Sequence, residues 1–207
     1  MIHIPVRQLS DEELNEWPVL GKGGERIVRL DPGQPTHCVK LSAKSISTQT
    51  EREADYLAEL MARPERSRYV PTFFGCVETP TQIGVEVEAI VPGDRFDTTE
   101  LLSSYLVRIK DNPDAMKDIV ERLLAVKAEM IRLNIIVSDL GPANMMAVTK
   151  NGRVDVMLFD GFYVPEHIQT ARRFRLFGRM KINRQWKKFA KRFNRTLGRP
   201  DDAPTPF

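Results

Sequence analysis

Cysteine is scarce in this 207-residue chain: Cys38 and Cys76 are the only two, each inside an apolar, strand-like run. Two thiols cannot build a disulfide framework, so buried free thiols in a reducing cytoplasm are the expected state. Long apolar runs are absent as well. No stretch approaches the roughly 20 consecutive apolar residues that a membrane-spanning helix needs. The first twenty residues carry Arg7, Asp11, Glu12, Glu13 and Glu16 without an apolar run, which predicts no secretory signal. His3, His37 and His167 show none of the spacings of a metal-ligating set. Internal repeats and low-complexity stretches are missing. What is present, 42% hydrophobic and 29% charged residues, is the balance of a globular protein. The length suits one domain or two small lobes sharing a cleft.

Acidic residues are absent from one place in particular. Residues 171–199 hold twelve of the 31 Lys and Arg residues and no Asp or Glu. Only Asp201 and Asp202 follow, so residues 1–170 keep 19 basic against 26 acidic groups, a net of −7 within a chain of +3. An acidic body with a basic C-terminal segment predicts an anionic partner, or a segment that docks on its own body. Phe174, Phe177, Trp186, Phe189, Phe193 and Leu197 are interleaved with those cations. From Trp186 onward their spacing of three, four and four predicts an amphipathic helix whose aromatic stripe packs as core, with the basic face left to solvent, phospholipid or nucleic acid.

The first half reads as strands around one helix. Residues 17–20 and 25–30 flank a glycine-rich turn, residues 37–41 form a short apolar strand, and residues 72–78 and 82–91 make a hairpin through Thr79-Pro80-Thr81. Residues 47–62 are helical, with Ala54, Leu57, Ala58 and Met61 on one face. The second half is mainly helical, over 101–110 and 115–133, the latter turning Ile119, Leu123, Val126 and Met130 inward. A loop over 138–143 then leads to two short strands, 145–149 and 154–159, around Asn151-Gly152. This is an α+β plan in two lobes, with a hinge near Pro92-Gly93.

Phosphoryl transfer needs backbone amides and a lysine for the phosphates, oxygen ligands for Mg²⁺, and a carboxylate for the attacking hydroxyl. Four features offer these parts in chain order. Gly21-Lys22-Gly23-Gly24 joins the first two strands, and glycine lets the backbone approach a phosphate closely. Lys40 stands alone among apolar neighbours in Cys38-Val39-Lys40-Leu41, so it either faces solvent or serves a ligand. Asp139 and Asn144 are five positions apart across a proline-containing loop, where a carboxylate can take a hydroxyl proton and an amide oxygen can ligate Mg²⁺. Asp160 closes the apolar run Val156-Met157-Leu158-Phe159, a suitable place for a metal ligand.

In these residues the chain resembles the protein-kinase-like superfamily and, within it, the PhoP regulatory network protein family of YrbL type. The resemblance covers nearly the whole chain. It is carried by residues 21–26, Cys38-Val39-Lys40-Leu41, Arg52-Glu53-Ala54-Asp55-Tyr56-Leu57, residues 71–79 and 83–93, residues 139–145 and Trp186-Lys187-Lys188-Phe189. It implies a small two-lobed kinase-like fold: a five-stranded antiparallel N-lobe with one helix, then a short, mainly helical C-lobe. It also implies ATP held by Gly21, Gly23, Gly24, Lys40 and Glu53, catalysis by Asp139 with Lys40, and Mg²⁺ on Asn144 and Asp160. Helical geometry does not choose between Glu51 and Glu53 as the partner of Lys40; only the Arg52-Glu53 match favours Glu53.

The chain departs from a full kinase pattern at Arg26, where a third glycine would stand, and at Val137-Ser138, where His-Arg would precede the aspartate. Asp160-Gly161-Phe162 is not Asp-Phe-Gly, and the 47 residues after Asp160 contain no Ala-Pro-Glu element. A peptide-docking platform is therefore not expected. The expected function is an ATP- and Mg²⁺-dependent phosphotransferase of the cytoplasm acting on a small molecule, a glycan or itself. The alternatives are a nucleotide-binding regulator without catalysis, and a polyanion-binding protein acting through the basic segment. The expected divisions are an N-terminal lobe over 1–92, a helical lobe with the catalytic loop and metal-binding aspartate over 93–170, and a basic helical segment over 171–207.

Overall fold

The computed structural model describes residues 3–163 and 174–207. His167 and the first three residues of the basic segment, 171–173, lie outside the described residues. The chain divides into two compact units: unit 1 comprises 1–66 and 71–89, and unit 2 comprises 67–70 and 90–207.

Unit 1 is built on a six-stranded sheet, one strand more than the five expected. In chain order its elements are β1 (Val6–Gln8), α1 (Asp11–Glu16), β2 (Val19–Lys22), β3 (Ile27–Leu30), β4 (His37–Ala43), α2 (Thr48–Met61), β5 (Phe73–Glu78) and β6 (Gln82–Glu88). The spatial order is β1-β5-β6-β4-β3-β2. Every pairing is antiparallel except that of β1, which lies parallel to β5 with Val6 opposite Cys76, so the sheet is mixed rather than purely antiparallel. The added strand has three residues and pairs with a segment about seventy positions away. Alternation, a signal that needs four or more residues, cannot find it.

The six-residue helix α1 was likewise not expected. It is capped by Ser10, whose hydroxyl accepts from the Glu13 amide at 3.0 Å. It is pinned to the β5–β6 turn by Asp11, which accepts from the Thr79 hydroxyl and from Thr81 Oγ1 at 2.8 Å. These bonds hold the Asp11 carboxyl below its usual range, the Thr79 hydroxyl contributing most.

Leu14, Trp17, Val39, Leu41 and Val77 form the core on one side of the sheet. The other partner of the sheet is α2, which packs on β4, β5 and β6 and buries Ala54, Tyr56, Leu57, Ala58 and Leu60. Three of the four residues expected on its inner face are buried, and Met61 sits at the margin. Cys38 and Cys76 are free and buried in the central strands, and desolvation pushes both thiols up to about 11.

Unit 2 joins helices to a three-stranded antiparallel sheet ordered β7-β8-β9: β7 (Thr98–Leu101), β8 (Met145–Lys150) and β9 (Arg153–Leu158). Only the β8–β9 hairpin was expected. Strand β7 runs straight into α3 (Leu102–Ile109), so its four residues are hidden in a longer apolar pattern. Helix α4 (Pro113–Leu133) begins at the Asn112 cap and ends at left-handed Asn134, and its inward residues are Ile119, Leu123, Val126 and Met130 as its periodicity predicts. Residues 67–70 belong here because Leu158 donates to the Tyr69 carbonyl at 2.8 Å and the Ser67 hydroxyl bonds Glu129.

The C-terminal helix α5 (Arg175–Thr196) splits the aromatic stripe in two. Trp186, Phe189 and Phe193 are buried and packed with Phe207, whereas Phe174, Leu176, Phe177 and Met180 are exposed. No helix among the described residues is long and apolar enough to cross a membrane.

Candidate functional site

In unit 1 the lysine of the apolar strand is buried, not solvent-facing. Strand β4 has neighbours on both edges and is covered on both faces, so alternation along it carries no information about which side chains are hidden. Lys40 Nζ donates to Glu53 Oε1 at 2.8 Å, with the two side chains 6% and 0% exposed. Glu51, the alternative from helical geometry, is exposed and accepts from the Ser47 hydroxyl at 2.6 Å.

The other oxygen of Glu53 takes the guanidinium of Arg26. Arg26 entered the sequence reading only as a missing glycine; here it is the second cation on a fully buried carboxylate. Such a group is tolerated in the interior only when paired on this scale.

The glycine-rich turn runs from β2 to β3, closed by Gly23 donating to the Arg26 carbonyl at 2.8 Å. None of Gly21, Gly23 and Gly24 uses a left-handed φ. Among the described residues, no atom lies within 4 Å of a Cβ built on Gly21 or Gly24, and on Gly23 only the Arg26 carbonyl, at 3.6 Å, comes that close. Glycine is therefore not demanded here by strain or crowding within the unit. What it does is leave the backbone bare.

In unit 2 the loop over 138–144 and the segment after β9 are tied together. Ser138 donates to the Gly161 carbonyl through its amide at 2.8 Å and through its hydroxyl at 3.2 Å, and the Phe159 amide donates to the Asn144 carbonyl at 3.3 Å. Gly161 sits at φ +85°, and a Cβ there would come within 3.3 Å of the Asp139 carbonyl oxygen, so both its backbone and its bareness are needed where the two segments meet. Asp160 Oδ1 accepts from the Gly161 amide at 2.8 Å.

Asp139 and Asn144 are brought together. Asn144 Nδ2 donates to both the carbonyl and the Oδ2 of Asp139 at 2.9 Å, which leaves its amide oxygen outside that pair of bonds. A residue absent from the sequence reading completes the group: Arg192 of α5 donates to Asp139 Oδ1 at 2.5 Å and to the Leu140 carbonyl at 2.9 Å. No spacing rule links residues 139 and 192, which are 53 positions apart. The only trace in the sequence is that the basic segment carries many arginines.

Unit 1 thus presents an interior Lys–Glu–Arg cluster beside a bare glycine turn. Unit 2 presents a half-exposed carboxylate held by an amide and a guanidinium, with a second carboxylate on an adjoining segment. Among the described residues no three His, Cys, Asp or Glu side chains gather into a metal cluster. A search of curated proteins found no match to the chain. The family described as PhoP regulatory network protein YrbL matches residues 13–194, a span that includes Arg26, Lys40, Glu53, Asp139, Asn144, Asp160 and Arg192. The chain belongs to the PhoP regulatory network protein YrbL family.

Proposed function

We propose that the protein is a kinase-like phosphotransferase that binds ATP with Mg²⁺ and passes the γ-phosphoryl group to a hydroxyl. The observation that carries this reading is the buried Lys40–Glu53 pair, a strand lysine held by a glutamate of the following helix. Protein kinases need a strand lysine and a helix glutamate paired in this way for the lysine to meet the α- and β-phosphates. As a stability device the pair would be a poor choice, because apolar residues of similar volume do as well or better in an interior. Gly21, Gly23 and Gly24, bare without local need, would let backbone amides approach the phosphates.

Mg²⁺ fits the residues of unit 2. This ion keeps several waters and binds through one or two protein oxygens plus substrate phosphates, so a three-carboxylate cluster is not required. Asp160 and the amide oxygen of Asn144 would hold it, and the ion would neutralise charge on the phosphates. Asp139 would take the acceptor's proton as the hydroxyl oxygen bonds to phosphorus and the bond to ADP breaks. The acceptor in this reading is a small molecule, a glycan or the protein's own hydroxyl, since residues 161–207 hold no Ala-Pro-Glu element of the kind that docks a peptide. ATP chemistry and two buried free thiols agree with a cytoplasmic location.

Turnover of ATP by the purified chain, read as ADP release or self-labelling, tests the reading. Asp139→Asn is expected to lower it by about 10²–10⁴-fold. Equal turnover in the variant removes Asp139 from the chemistry. Binding of Mg-ATP without turnover in the unaltered chain would make the protein a nucleotide-binding regulator instead.

A second reading is favoured by one surface. Phe174, Leu176, Phe177 and Met180 are exposed next to Arg175, Arg179 and Lys181, the mixture with which an interfacial helix meets an anionic membrane. Co-sedimentation with vesicles containing anionic phospholipid, weakened by salt and by Phe177→Ser with Met180→Ser, is the expected result. No binding to such vesicles contradicts it, and salt-sensitive binding to nucleic acid alone would reassign the surface.

A further inference from the structure

We infer that Arg192 is a positioning residue for Asp139, and that the basic C-terminal helix is therefore part of the phosphotransfer machinery. This rests on the reading of Asp139 given above. The loop from Asp139 to Asn144 contains Leu140, Gly141, Pro142 and Ala143, and so no cation of its own. One arrives from α5. The path is opened by Gly141, whose φ of −166° and ψ of 161° are extended backbone that any residue adopts. Glycine is not there for conformational freedom. A Cβ at 141 would lie 3.0 Å from Arg192 Nη1 and 3.1 Å from its Cδ, so the missing side chain is the room that the guanidinium occupies.

The Arg192 side chain is held at its tip and at its root. Its Nη1 bonds Asp139 Oδ1 and the Leu140 carbonyl, while the helix that carries it is anchored by buried Trp186, Phe189 and Phe193 and by Gln185, which donates to the Val137 carbonyl just before the loop. Asn144 holds Oδ2 of the same carboxylate. Two donors on the two oxygens set the plane of the carboxylate and leave its remaining lone pairs to receive a proton. Stability is a weak explanation for this fit. The Asp139 and Arg192 side chains are 51% and 42% exposed, where water screens an ion pair to little net worth. Orientation of a reacting group is the stronger one, because small misplacements slow a reaction far more than they unsettle a fold.

The test compares ATP turnover and Mg-ATP affinity in the full chain with those of Arg192→Ala, Arg192→Lys and Gly141→Ala. Arg192→Ala is expected to lose at least about tenfold in kcat with KM for ATP within about twofold, because the effect lies on the carboxylate and not on the nucleotide. Added methylguanidinium, and Arg192→Lys to a smaller extent, are expected to recover part of the loss, since an ammonium restores the charge on a shorter side chain that reaches the carboxylate less well. Gly141→Ala, whose Cβ makes the guanidinium give by a few tenths of an ångström, is expected to fall between these and the unaltered chain. Arg192→Ala with unchanged or raised kcat overturns the inference, as does a loss that methylguanidinium and lysine both fail to relieve. An unaltered chain without turnover overturns the phosphotransfer reading and this inference together, whereas equal kcat with and without Arg192 overturns this inference alone.

Discussion

The two charged groups that matter most in this chain sit in opposite environments. In unit 1, Glu53 is wholly buried and shared by Lys40 and Arg26; in unit 2, Asp139 is half-exposed and shared by Asn144 and Arg192. Burial makes the first group expensive to disturb whether or not a ligand is present, because an interior charge deprived of its partner keeps its desolvation penalty. Exposure makes the second nearly free of such a penalty, so its contribution to stability is small and its geometry is free to serve the chemistry proposed for it. A carboxylate inside a unit and one at its surface look alike in a sequence. Their mutants should not behave alike.

The largest stability effect is expected at Glu53. Glu53→Gln removes the anionic partner of Lys40 and Arg26 and should lower unfolding free energy by about 3 kcal/mol, read as a lower urea midpoint. A change below about 0.5 kcal/mol would mean the cluster is not the interior pair described here. Asp139→Asn should do the reverse, leaving the midpoint within about 0.5 kcal/mol of the unaltered chain while turnover collapses. Substantial unfolding in Asp139→Asn would erase the contrast between the two groups, because the carboxylate would then be structural. Arg192→Ala belongs with Asp139→Asn on the stability scale and is the mildest of the three.

Much of this could be read from the residues, and the failures have physical causes. Helix α4 was legible because twenty-one residues repeat one face, and the β5–β6 and β8–β9 hairpins were legible from the turns that join their strands. Strand β1, helix α1 and strand β7 were not, since three, six and four residues are too short for a period to show, and β1 is stabilised by a distant parallel neighbour. Lys40 illustrates a subtler limit. A strand buried on both faces has no alternation to interpret, so whether its lysine faced out or in depended on α2 delivering Glu53, a tertiary fact. The choice between Glu51 and Glu53 was undecidable from helical geometry for the same reason. Asp139 and Asn144 were legible as a local pair. Arg26 and Arg192 were not, because each reaches its carboxylate across the fold, and local spacing is silent about such contacts.

The proposed function requires the protein to bind Mg-ATP, and a thermal shift tests that most directly. A ligand at about a hundred times its dissociation constant adds roughly 2.7 kcal/mol, a rise of several degrees for a chain of this size. The account predicts such a rise with ATP only when Mg²⁺ is present, and its loss in Lys40→Ala and in Asp160→Ala, each compared with its own ligand-free baseline. No rise at millimolar Mg-ATP, or an undiminished rise in both variants, would contradict it.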